Sequence, residues 1–219
     1  MLDHLIIATD RALRTLSGGI TAARPTPRPE PMEQSPTDPT ALSMDDSGMS
    51  ATEKSLSGAL MRVNHVGEIC AQALYQAQAI ATSDPLMRRQ LEAASRDETD
   101  HLAWTQQRLD ELGARPSLLN PIWYAGSFAM GWLAGQLGDK WSLGFLVETE
   151  HQVEQHLAEH LDRLPAADHR SRAIVQQMKI DEARHAREAQ QAGAAELPVA
   201  ARWGMRAMSR VMTRTAHHL

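Results

Sequence analysis

The chain has 219 residues, a formal net charge of -5 at pH 7 and 42% hydrophobic residues. That length suits one domain with appendages, and the charge is too mild to call for a nucleic-acid partner. The single cysteine, Cys70, excludes an intramolecular disulfide and reads as a small core residue.

At the N-terminus, Leu2, Leu5, Ile6, Leu13 and Leu16 follow amphipathic spacing, which predicts a short helix over 1–16. It is not a signal peptide. The apolar run is short, Asp3 and Asp10 flank it, and no cleavage pattern follows. From Gly18 to Ser50 the composition turns to Pro, Thr, Ser and acid, with Pro25, Pro27, Pro29, Pro31, Pro36 and Pro39. A segment of this kind buries too little apolar surface to offset its ordering entropy. Residues 1–50 are therefore expected to be a short helix and a mobile linker, with the folded domain over 51–219.

Four long helices come next, with no strand-like alternation. The first runs from about Thr52 to Thr82. The second has Asp84 as N-cap, Pro85 at the first helical position and Gly113 after its last turn. The third starts near Ser142 and stops before Pro165. The fourth starts near Asp168 and ends at Gly193.

The second and fourth helices carry one motif twice, Glu98-x-x-His101 and Glu182-x-x-His185. A lone glutamate precedes each at a matched distance, Glu68 and Glu150. Residues three apart share a helix face, so each Glu/His pair can grip one ion from one side. These residues interrupt apolar stripes. The first helix reads Leu60, Asn64, Glu68, Ala71, Leu74, and the second Leu91, Ala94, Glu98, His101, Thr105, Leu109. The third reads Leu143, Val147, Glu150, Val153, Leu157, and the fourth Ile174, Met178, Glu182, His185, Ala189. All six therefore face inward. Four buried carboxylates without counter-charge would cost several kcal/mol each, roughly, which cations in the core would remove. A salt-bridged core is the bland alternative. The ligand set, one Glu and one Glu-x-x-His per helix hairpin, is that of a ferritin-like di-iron or di-manganese centre in an all-α four-helix bundle.

Within such a centre Glu98 and Glu182 are assigned as bridges, Glu68 and Glu150 as terminal ligands, and His101 and His185 one to each metal. Oxygen and nitrogen donors suit Fe(II) or Mn(II). Asp97 and Asp181 are expected to orient the imidazole of the opposite copy. Glu154, one turn past Glu150, is a rival ligand, whereas Glu148 falls off the stripe. His156 lies on a neighbouring arc, where it is either a proton or electron relay or a hydrogen-bonded core histidine.

Between the hairpins, residues 118–138 carry no charge and include Ile122, Trp123, Tyr124, Phe128, Trp132, Leu133 and Leu137. The stretch is long enough to span a bilayer, but one crossing would part Glu98 from Glu150. It is expected to be a hydrophobic crossover along the bundle, partly in a membrane interface. In the tail, 199–219, Arg202, Arg206, Arg210 and Arg214 form a stripe opposite Trp203, Met205, Met208, Val211 and Met212. Such an amphipathic helix suits an anionic lipid surface or docks on the bundle with its arginines solvated.

The run Arg62-Val63-Asn64-His65-Val66-Gly67-Glu68-Ile69-Cys70-Ala71, with the two Asp-Glu-x-x-His motifs and Glu150, resembles the demethoxyubiquinone hydroxylases of ubiquinone biosynthesis. The segment Asn120-Pro121-Ile122-Trp123-Tyr124 and the tail are similar to the bacterial branch. The resemblance implies a monooxygenase with two iron ions per chain, bound peripherally to the cytoplasmic face of the bacterial inner membrane. Its substrates would be O₂ and a polyprenylated methoxy-methyl-benzoquinol, with electrons from NADH by way of the quinone. Other ubiquinone-biosynthesis proteins and further copies of the chain are compatible partners. Some members place a tyrosine after the histidine matching His156; here it is Leu157. No Gly-x-Gly-x-x-Gly fingerprint is present. Two other classes stay open: an iron store, which would load many irons per chain, and a metal-free membrane-associated scaffold.

Overall fold

In the computed structural model, residues 2–29 and 48–219 are described, residues 2–8 by backbone alone. Among the described residues the regular structure is helical: α1 Leu2–Ser17, α2 Ala51–Ala81, α3 Pro85–Glu111, α4 Asn120–Gln136, α5 Asp139–Arg163, α6 His169–Gln191 and α7 Val199–His218. The bundle consists of the hairpins α2–α3 and α5–α6, with α4 laid along α2 as the crossover between them. It is a ferritin-like four-helix bundle.

Local chemistry starts the helices where the sequence expects. Asp84 accepts from the Leu86 amide at 2.7 Å, with Pro85 next to it. Asp168 accepts from the Ser171 amide at 2.9 Å. Before α2, Ser50 and Glu53 form a capping box, each side chain bonded to the other's backbone amide. The start of α5 differs from expectation. Gly138 adopts φ 97°, open to glycine alone at little cost, and the chain turns from α4 straight into α5 at Asp139.

The glycines of α4 have a packing role. A Cβ on Gly131 would lie 2.9 Å from the Leu74 carbonyl oxygen, and one on Gly135 would collide with the Ala81 methyl. They let α4 approach α2 backbone to backbone. No described helix is long and apolar enough to cross a membrane. The outer side of α4 and its flanks instead leaves Leu118, Ile122, Trp132, Leu133 and Leu137 exposed, and α7 exposes Trp203, Met208 and Val211.

Two apolar clusters bracket the bundle's middle. Leu60, Met61, Trp104, Leu109, Leu157, Ile174 and Met178 pack toward one end. Tyr75, Met87, Leu91, Leu143, Leu146 and Ala189 pack toward the other. Each leucine, isoleucine or methionine among them contributes about 1.5–3 kcal/mol when fully buried. The fully buried Arg108 ties the hairpins together, donating to Asp168 at 2.8 Å and to Ser171 at 2.8 Å.

The segment after α1 departs from the expected mobile linker. The Ala23 amide donates to Asp100 at 2.6 Å, and Thr26 Oγ1 donates to Gln107 at 2.8 Å, so this stretch lies on α3. Composition suggested freedom; specific hydrogen bonds to α3 hold the segment down. The remainder of the expected linker, with Pro31, Pro36 and Pro39, lies outside the described residues, as does Met1.

Candidate metal centre

Each inward stripe delivers its acid to the polar layer between the two apolar clusters. Glu68 (α2), Glu98 and His101 (α3), Glu150 (α5), Glu182 and His185 (α6) are all 2% exposed or less. Their ligand atoms form two overlapping groups: Glu68, Glu98, His101 and Glu182, and then Glu98, Glu150, Glu182 and His185. Within each group the atoms lie within 4.8 Å of one another. Glu98 and Glu182 belong to both.

Both histidines turn Nδ1 toward the carboxylates. His101 Nδ1 lies 3.5 Å from Glu68, 3.4 Å from Glu98 and 3.3 Å from Glu182. His185 Nδ1 lies 3.1 Å from Glu98 and 3.4 Å from Glu182. The other ring nitrogens are held from behind, as expected, by the aspartate of the opposite copy. His101 Nε2 is 3.0 Å from Asp181, and His185 Nε2 is 3.2 Å from Asp97. The hydrogen bond from His185, with Arg184 and Arg24 nearby, holds the Asp97 carboxyl at about 2. Against its burial, His101 and Arg24 hold Asp181 well below the usual carboxylate range. Both aspartates are therefore anionic acceptors.

Electrostatics divides the four glutamates. Burial and the neighbouring carboxylates push Glu68 and Glu150 up. Glu98 and Glu182 are drawn down, against their burial, by the two imidazoles. Glu68 Oε2, both Glu98 oxygens and His101 Nδ1 are buried without a hydrogen-bond partner. Buried polar atoms are rarely left so, and here Glu68 Oε2 and Glu98 Oε2 gather about His101 Nδ1 while Glu98 Oε1 faces His185, the pattern of donors meant for cations. Carboxylate oxygens with imidazole nitrogens fit a hard or borderline divalent ion.

The rivals separate cleanly. Glu154 is half-buried and belongs to neither group. Glu148 is off the stripe yet only 8% exposed, because α7 covers it: it accepts from Gln152 at 2.8 Å and faces Arg206 at 3.6 Å. His156 packs against His160 with the rings tilted by 58° and their centroids 3.9 Å apart, and its Nε2 has no hydrogen-bond partner. Burial depresses its pKa. His156 and Glu68 both line a cavity of about 150 Å³ enclosed by α2, α4, α5 and α7, with Trp123, Phe145, Met208 and Met212 in its walls. Cys70 lines the same cavity, and burial raises its thiol to about 11.

Two neighbours of the centre were not singled out from sequence. Tyr75 donates to Glu150 Oε1 at 2.6 Å. Its signal was available, since it lies seven residues past Glu68 on the same stripe. Arg24 donates to Asp100 at 2.7 Å and to Asp181 at 2.8 Å, from a proline-rich stretch whose composition gives no sign of it.

The fold and the site together define a class: ferritin-like helical bundles whose core holds a carboxylate-and-histidine cluster able to bind metal. Within that class the chain belongs to the family described as ubiquinone biosynthesis protein COQ7, whose model matches residues 55–216. It is 59% identical over 218 residues to a 3-demethoxyubiquinol 3-hydroxylase of Polaromonas sp. (strain JS666), covering 100% of this chain and 98% of that protein. Proteins of the same description from Variovorax paradoxus (strain S110) and Methylibium petroleiphilum are 58% and 56% identical. Coverage is 100% of this chain and 98% of the relative for the first, 99% and 97% for the second.

Proposed function

We propose that this chain hydroxylates the ring of a polyprenylated demethoxyubiquinol with O₂, using two iron ions held by Glu68, Glu98, His101, Glu150, Glu182 and His185. The observation that carries the reading is the pair of four-residue groups sharing Glu98 and Glu182, with Glu68 reaching into an apolar cavity. Glu98 and Glu182 would bridge, while Glu68 with His101 and Glu150 with His185 would each complete one ion. Two irons supply, when bound, the reduction of O₂ that gives one oxygen to the ring and one to water. The two electrons this requires come from a reductant, for which NADH acting through the quinone is the candidate.

The remaining work falls to the chain's own side chains. The cavity has Val63, Leu74, Trp123, Phe145, Met208 and Met212 in its walls, an apolar lining that suits a flat ring. It lies between α2 and α5 and beneath α4, where a ring would reach Glu68. An isoprenoid tail would leave beside α4 and α7, whose exposed Trp132, Leu133, Trp203 and Val211 suit a lipid interface. On that basis the protein would sit peripherally at a membrane surface, and the resemblance to the bacterial hydroxylases implies the cytoplasmic face of the inner membrane. His156, kept neutral by burial and with Nε2 free of a hydrogen bond, can take a proton from a quinol hydroxyl.

The test supplies ¹⁸O₂ and a demethoxyubiquinol to the iron-loaded protein under a reductant. One labelled oxygen on the ring is expected. Unlabelled product, or O₂ consumed only to peroxide, would overturn the reaction assigned here. Uptake of many irons per chain would instead favour an iron store.

A further inference from the structure

We propose that residues 20–29 form a strap whose docking on α3 is energetically coupled to metal binding, with Arg24 as a positioning residue for His101 and His185. The inference rests on the reading that the six core residues hold metal. It concerns a segment outside residues 55–216, the part matched by the family model.

The strap's contacts converge on the aspartates behind the histidines. Arg24 Nη1 donates to Asp181 Oδ2 at 2.8 Å, the same oxygen that lies 3.0 Å from His101 Nε2. Arg24 Nη2 lies 3.6 Å from Asp97 Oδ1, and the other oxygen of that carboxylate holds His185 Nε2 at 3.2 Å. Arg24 Nε donates to Asp100 Oδ2 at 2.7 Å, and Asp100 Oδ1 accepts the Ala23 amide at 2.6 Å. One guanidinium thus faces three carboxylates from two helices, Asp97 and Asp100 on α3 and Asp181 on α6. Without it Arg184, bonded to Asp97 at 2.8 Å and to Asp181 at 3.4 Å, would be the remaining cation on the pair that holds the imidazoles, among the described residues.

Arg24 is itself held in one plane. Its guanidinium carbon sits 4.8 Å above the centre of the Trp104 ring, and Trp104 Nε1 donates to the Arg24 carbonyl at 3.3 Å. Trp104 in turn packs 5.4 Å from the His101 ring. A fixed fork reaching two or more carboxylates is what arginine provides and lysine does not. Docking of the strap therefore fixes the aspartates, the aspartates fix the two imidazoles, and preformed imidazoles bind metal with less loss of freedom. Coupling of this kind is reciprocal, so bound metal must also hold the strap down.

The experiment has two arms, both independent of turnover. In the first, Co(II) is titrated anaerobically into the wild-type chain, Arg24→Gln and Arg24→Lys in competition with a chelator. Arg24→Gln should weaken binding about tenfold, the lower end of what losing a partner of a metal-binding histidine costs. Arg24→Lys should recover part of the loss. In the second arm, amide hydrogen exchange over residues 20–29 should slow on Co(II) binding in the wild type and not in Arg24→Gln. Thermal unfolding of each variant checks that the bundle is intact. Equal affinities for wild type and Arg24→Gln, or strap exchange indifferent to metal, would overturn the coupling while leaving the metal site standing. A wild-type chain that takes up no Co(II) would remove the site reading and the coupling with it.

Discussion

His101 on α3 and Asp181 on α6 meet across the bundle, Nε2 to Oδ2 at 3.0 Å, and this contact turns Nδ1 of the same ring toward Glu68, Glu98 and Glu182. Asp181→Ala frees the ring to rotate and removes an anion that raises its basicity. Metal affinity is expected to fall about 10- to 100-fold, measured by chelator competition under anaerobic conditions. An unchanged affinity would mean that packing against Trp104 alone orients the imidazole.

Arg108 and Asp168 form the buried link between α3 and α6, both 0% exposed. Asp168→Ala removes one carboxylate from the buried guanidinium, with Ser171 and Glu111 among the partners that stay, and also removes the cap of α6. The expected loss is about 2–4 kcal/mol in urea unfolding, from one charge-assisted hydrogen bond and one helix cap, with iron content unchanged at temperatures where the chain stays folded. A loss under about 1 kcal/mol would place this pair with weak surface bridges.

Acid should destabilise the fold through His65 and His160, which burial pushes down to about 4 and about 2. Between pH 6.5 and 4 the unfolded chain takes up these protons and the folded chain resists, so their contribution is present above pH 6.5 and is lost as pH falls. Glu68 and Glu150, raised by burial, act with the opposite sign in this range, so the informative comparison is wild type against His65→Gln. Going from pH 7 to pH 5, the wild type should lose about 2 kcal/mol more than the variant. Parallel pH profiles from chemical unfolding would contradict the assignment.

Much of the fold was legible because α3 and α6 announce themselves twice, by capping and by a broken apolar stripe. Asp84-Pro85 and Asp168 mark where α3 and α6 begin, and each stripe shows which acid faces inward. The start of α5 was less legible, since no side chain caps it and the positive φ of Gly138 turns the chain into the helix where a loop up to Ser142 was expected. Arg24 could not be read at all. Its role depends on three aspartates brought together only by tertiary folding, and its proline-rich surroundings argue locally for disorder. Tyr75 was legible in principle by its seven-residue spacing from Glu68, but a tyrosine on a core stripe reads as packing until its hydroxyl is seen on Glu150.

Arg206, Arg210 and Arg214 are exposed on α7, with Trp203, Met208 and Val211 exposed alongside. Binding to vesicles containing anionic lipid should weaken with salt and fall at least tenfold, roughly, in the double variant Arg206→Glu, Arg210→Glu, as each charge near the surface contributes about 1 kcal/mol. A residue of binding should survive high salt through the apolar side chains of α4 and α7. Indifference to anionic vesicles in a sedimentation assay would end the membrane reading.

The claim that six side chains hold two irons is tested most directly by the metal content of anaerobically purified protein, compared across variants. The ligand set requires about two irons per chain for the wild type. Glu98→Ala and Glu182→Ala, each removing a member of both four-residue groups, should lose both ions, and Glu150→Ala should lose iron while Glu154→Ala keeps the wild-type content. Wild-type protein without iron after anaerobic loading, or iron lost on Glu154→Ala and retained on Glu150→Ala, would contradict the centre described here.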